Sequence, residues 1–152
     1  MADRNNSEVI TGGCHCGALT YRFKSPLAAA ELPVRPCSCT FCTKHGARYT
    51  SHPEGTVEVV VKEPYLLERY RFGHQTADFL ICRRCGAIIL AVCEIENRLC
   101  GVININTTDK PDCFVAQTVV SRFDAERRED RLARRSRNWI GHVSILTGET
   151  GL

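Results

Sequence analysis

Seven of the chain's ten cysteines fall into three short motifs, and no other feature constrains the fold as tightly. Cys14 and Cys16 form a C-x-C among the glycines at 12, 13 and 17. Cys37, Cys39 and Cys42 form a C-x-C-x-x-C. Cys82 and Cys85 form a C-x-x-C followed by Gly86. The opening seven residues, from Met1 to Ser7, are polar and hold no apolar leader core, so a reducing, cytoplasmic setting is expected. There, clustered cysteines serve as metal ligands or catalytic thiols more often than as disulfides.

The spacings divide the cysteines by task. Residues i and i+2 of an extended segment point the same way, so Cys14 and Cys16 can offer two thiolates to one metal. Cys82 and Cys85 read as a zinc knuckle, whose glycine permits a left-handed turn after the second ligand. Two such pairs make a closed, structural four-thiolate site. Cys37, Cys39 and Cys42 supply three ligands, and three ligands plus an open position is what a catalytic zinc needs. His45, or one of Cys93, Cys100 and Cys113, could instead close that site as a fourth ligand. A metal-free redox role is a further reading, which the absence of a βαβ pattern disfavours. Cys93, Cys100 and Cys113 sit in apolar or strand-like surroundings and are expected in the core. His15, His52, His74 and His142 show no partner pattern, and His15 is expected to point away from the metal between its neighbours.

The rest of the pattern is mainly β. Leu19, Tyr21 and Phe23 alternate with polar residues, the signature of a half-buried strand. Strands are also expected at 57–61, 66–72, 79–81, 87–92, 99–105 and 114–120, separated by Gly, Pro and Asn turn signals. Little helix is expected: a turn or two over 41–46, and a helix over 124–135 with Asp124 as its N-cap. The latter stretch is dense in charge of both signs and reads as a solvated face or connector. With 152 residues and 43% hydrophobic positions, one domain suffices. Residues 1–6 are expected as a flexible tail, 7–122 as a zinc-binding β core, and 123–152 as a charged segment packing on or extending it. The apolar runs are too short for a membrane-spanning helix. The net charge of +3 argues against nucleic acid as the main partner.

Taken together, residues 12–21, 37–46 and 82–86 resemble the glutathione-dependent formaldehyde-activating enzyme family, which also includes centromere protein V. The motifs occur in that family's order, and the resemblance spans about residues 10–105. It implies a β-tent fold of short antiparallel strands around a structural zinc. By motif position, Cys14, Cys16, Cys82 and Cys85 would hold that zinc, and Cys37, Cys39 and Cys42 a catalytic one. It also implies a carbon–sulfur lyase that joins glutathione and formaldehyde reversibly, so the expected partners are a small thiol and an aldehyde. His45 is the nearest candidate for a proton shuttle, unless it is a ligand. Lys44, Arg48, Arg83 and Arg84 flank the motifs and are candidate partners for the thiol's carboxylates. The alternative is a zinc-stabilised, non-catalytic module that binds a protein or nucleic acid. A homodimer is only the base-rate expectation.

Overall fold

Two β-sheets supply most residues of the main core, and the alternation along their strands sets which faces meet. The structure is a computed structural model, and it describes residues 7–73, 75–118 and 126–147. The strands are β1 (Glu8–Gly13), β2 (Leu19–Ser25), β3 (Arg35–Pro36), β4 (Arg48–Thr50), β5 (Thr56–Val61), β6 (Leu67–Tyr70), β7 (Asp78–Cys82), β8 (Ile88–Ile95), β9 (Arg98–Asn104) and β10 (His142–Thr147). Helix α1 (Thr40–His45) follows β3, and α2 (Arg128–Asn138) precedes β10. The first sheet runs β1-β2-β5-β10, and the second runs β3-β4-β9-β8-β7-β6.

In β2, Leu19, Tyr21 and Phe23 are buried while Thr20, Arg22 and Lys24 face water. Val57, Val59 and Val61 of β5 do the same. These side chains pack on Leu80, Leu90, Val92 and Ile103 of the second sheet to make the main core. The second sheet is covered on its other face as well. There Ala91, Cys93, Cys100 and Val102 join Cys42, Ala47, Tyr49, Ala77 and Trp139 in a second cluster, with Leu132 packed against it. Strand β8 is therefore apolar almost throughout instead of alternating.

Most expected strands are present, with shifted ends. The strand expected over 114–120 is not. Pro111–Cys113 forms a 3-10 turn, Phe114 follows it, and Thr118 makes a single bridge to Val34. Pro111 lacks the N–H that a ladder needs, which favours the turn. Residues 119–120 lie outside the described residues, as does Asp124. The second helix starts at Arg128, not near 124, and Arg127 occupies its N-cap without a side-chain hydrogen bond to the helix backbone. Cys113 is exposed and takes no part in the core, because the 3-10 turn carries it on the surface. Strands β1, β3, β4 and β10 are additional to the expected set. Pairing is antiparallel except that β10 joins β5 in parallel, with Val143 opposite Val57 and Ile145 opposite Val59. No helix among the described residues is long and apolar enough to cross a membrane.

Gly12 marks a close approach between the first sheet and the 3-10 turn Ile105–Thr107 that follows β9. A Cβ there would collide with the Thr107 carbonyl oxygen and the Tyr21 hydroxyl. That hydroxyl sits 2.8 Å from Thr107 Oγ1, so neither group can retreat without breaking the contact. Gly12→Ala is expected to cost about 1–3 kcal/mol, as overpacking does. Urea unfolding should show a lower midpoint at unchanged slope.

Candidate metal centres and the adjoining cavity

Two turns bring the first cysteine set together. Cys14 and Cys16 lie in the turn between β1 and β2, while Cys82 ends β7 and Cys85 lies in the tight turn to β8. Both turns close on a glycine in left-handed conformation, Gly17 at φ 85° and Gly86 at φ 83°. The four sulfurs lie within 4.8 Å of one another. Cys16 Sγ is 3.8 Å from Cys14 Sγ and 3.6 Å from Cys82 Sγ. A tetrahedral ion with Zn–S bonds of about 2.3 Å holds its sulfurs about 3.8 Å apart, so the spacing fits zinc. Backbone N–H groups point at the sulfurs: Leu19 at Cys14 (3.3 Å), and Arg84 and Cys85 at Cys82 (3.3 and 3.4 Å). Such bonds favour thiolates.

The thiols are unequal. Burial pushes Cys14 up to about 11. Burial also raises Cys85, but hydrogen bonds from the Ala87 and Cys16 backbones and from the Cys82 and Cys14 side chains bring it down to about 6. Ionising all four together takes a cation among them. His15 is exposed and outside this group.

The second set is built around α1. Cys37 follows β3, Cys39 caps the helix with its sulfur 3.4 Å from the Cys42 N–H, and Cys42 is buried one turn on. The three sulfurs again lie within 4.8 Å of one another. Cys42 is pushed strongly upward, by its hydrogen bond with Cys37 and then by burial. Burial likewise raises Cys39. Three thiolates at this spacing therefore also call for a cation. Burial raises the Tyr49 phenol, whose oxygen lies 3.2 Å from Cys42 Sγ; with Cys42 as a thiolate, the phenol O–H is the donor. Tyr49 was invisible to motif reading; its link to the cluster arises from β4, which returns the chain beside α1.

His45 ends α1 and is exposed. Its ring lies 4.7 Å from the Phe41 ring, and it is not a member of the three-sulfur group. Cys93 and Cys100 are buried in the second core cluster, opposite each other on β8 and β9, and neither joins the group.

A cavity of about 520 Å³ opens over this second set, and all three cysteines line it. One wall is apolar: Phe72, Phe79, Ala77, Ala91, Val102 and Trp139. The other is cationic: Arg35 from β3, with Arg131, Arg134 and Arg135 from α2. The charged stretch thus does not form only a solvated face. Its N-terminal half is exposed, while Arg135 is buried and lies 4.7 Å over the Trp139 ring. Glu126 holds the wall in place through Arg134, with contacts of 3.0 and 2.9 Å. The flanking cations behave differently. Arg83 pairs with Glu68 at 2.5 Å and Arg48 binds Asn106 at 3.0 Å. Neither they nor Lys44 or Arg84 line the cavity.

Residues 9–121 match the family described as glutathione-dependent formaldehyde-activating enzyme. The chain belongs to that family. A solved structure of a Rhodobacter sphaeroides protein is similar to it at 24% identity, covering 73% of this chain and 99% of that one, with a TM-score of 0.49. The family match ends before α2, so the cationic wall of the cavity in this family member comes largely from outside the matched region.

The hydrogen bond from Arg134 holds the Glu126 carboxyl below the usual carboxylate range. A depressed carboxylate contributes stability above its unfolded value and loses it as pH falls through the folded value. Acidification is therefore expected to loosen α2, and Glu126→Gln to loosen it already at neutral pH. Fluorescence of Trp139, the one tryptophan, reads both effects.

Proposed function

We propose that this chain is a zinc-dependent carbon–sulfur lyase that adds a thiol reversibly to a small aldehyde, with glutathione and formaldehyde as the substrates its family implies. The observation that carries this reading is the three-cysteine set opening into a cavity, where a purely structural site would be closed. Cys37, Cys39 and Cys42 would hold the catalytic zinc, and Cys14, Cys16, Cys82 and Cys85 a structural one, in the β-tent arrangement of the family. Zinc held by these three thiolates would supply a place where a thiol's pKa falls or a carbonyl is polarised. The negative charge of three thiolates weakens Lewis acidity and favours the first role.

The chain's own groups do the remaining work. The apolar wall formed by Phe72, Phe79 and Trp139 excludes water from the aldehyde carbon. With Cys42 as a metal-held thiolate, the Tyr49 hydroxyl 3.2 Å away would donate to its sulfur and steady it. In the forward direction one carbon–sulfur bond forms, the carbonyl π bond becomes a C–O single bond, and the thiol proton ends on that oxygen. His45 is assigned to proton exchange with solvent and not to coordination. Its ring packs on Phe41, which in turn packs on Phe72 and Phe79 of the cavity wall.

Metal analysis with exchange NMR on labelled formaldehyde and glutathione tests the proposal. The wild type is expected to hold two zincs per chain and to speed the exchange. Cys39→Ser should keep its fold and one zinc but lose the acceleration. His45, exposed and outside the cavity lining, should on replacement by Ala leave both zincs in place and slow turnover. Tyr49→Phe should keep the fold and weaken metal binding at the second set by about 10–100-fold. A single zinc that survives Cys39→Ser, with no acceleration, would leave a zinc-stabilised binding module.

A further inference from the structure

One wall of the cavity is built from arginines drawn from two separate elements. Arg35, Arg131, Arg134 and Arg135 all line it, and its described lining residues include no aspartate or glutamate. Glu126 is the carboxylate that the described structure places against them, bonded to Arg134 and 3.8 Å from Arg131. Zinc on three thiolates would add one further negative charge. The facing wall of the cavity is apolar.

Arg135 is the most deeply buried of the four. Its side chain is more than nine-tenths buried, at 7% exposure. Nη1 is held by Thr76 Oγ1 at 2.8 Å and by the Cys93 sulfur at 3.5 Å, and the guanidinium lies over Trp139. None of these partners is a carboxylate, and its buried Nε has no hydrogen-bond partner. Burying a guanidinium this way is costly, and an anion in the cavity would offset that cost. Arg35 approaches from the opposite element. It bonds Ser51 Oγ, whose hydroxyl donates to the Asn138 carbonyl at 2.7 Å, so Arg35 is tied to the end of α2. Two planar guanidiniums, each fixed by other contacts, suit a carboxylate because their forked N–H groups match its two oxygens.

We propose that Arg35 and Arg135 form an anion subsite beside the three-cysteine set, which takes a carboxylate of the thiol substrate and so selects acidic thiols over neutral ones. This rests on the cavity being where thiol meets aldehyde. The subsite places the substrate's charged end between β3 and α2, and its sulfur toward Cys37, Cys39 and Cys42. Trp139 lies under Arg135 and reports occupancy.

S-methylglutathione keeps both carboxylates of glutathione but has no ionisable thiol, so its binding reads the subsite apart from the lyase chemistry. The experiment titrates zinc-loaded protein with it and with its dimethyl ester, following Trp139 fluorescence. The acid should bind saturably, with the ester weaker by about tenfold or more. Arg35→Gln should bring the acid down to the level of the ester, and Arg135→Lys should fall between. A thermal melt checks that each variant is folded, and Arg35→Gln carries the test if Arg135→Lys is not. Equal binding of acid and ester, unchanged affinity in Arg35→Gln, or no binding of either ligand overturns the subsite. Binding of the acid without any thiol–aldehyde exchange would instead overturn the lyase proposal and leave the subsite standing.

Discussion

Four sulfurs drawn from two distant turns hold the geometry on which the rest of the molecule depends. One turn belongs to the first sheet and the other to the second. Cys14 and Cys82 are themselves members of the main core, so the cluster continues the packing between the sheets. A metal held there would act as a cross-link between β1–β2 and β7–β8, fixing how the two sheets meet. Ligands present only in the folded chain convert binding energy into folding energy.

The second sheet then works on both faces. One face packs on the first sheet, and the other carries the second cysteine set, the apolar wall and Trp139. Alternate residues of β8 divide between them: Leu90 and Val92 go to the main core, Ala91 and Cys93 to the second cluster. Ala91 and Val102 thus back the cavity with strand side chains, a more rigid floor than loops provide. Helices α1 and α2 supply what the sheet lacks, namely closely spaced thiols and positive charge.

The cysteine pairs and the triplet were legible because the members of each are close in sequence. Spacings of two and three residues fix which thiols share a turn, whatever the fold around them. The β8 run was legible for a similar reason, since a strand buried on both faces leaves a continuous apolar stretch. Strand β1 was not, because its partial burial and its Gly12-Gly13 end give no clean alternation, and it exists through its register with β2. The 114–120 stretch read as a strand because local residue type outweighed the effect of Pro111 in the sequence pattern. The cationic wall was hidden most deeply. Arg131, Arg134 and Arg135 sit in a mixed-charge run that looks like any solvated helix face. Only the tertiary position of Trp139 and Thr76 shows that one side of it is buried.

The parallel placement of β10 has a bearing on how the chain survives its own synthesis. β5 is a run of threonine, valine and one glutamate, the composition that pairs most readily with other strands. Its inner neighbour β2 is made before it, but the strand on its other side is β10, which leaves the ribosome only after β6 to β9 and α2. Until then the edge of β5 stands open as a template for another nascent chain. Glu58, opposite Ser144 in the finished sheet, is the charge that breaks this otherwise apolar stretch. A charge at this position is the kind of residue that discourages wrong pairing while the sheet is one strand short.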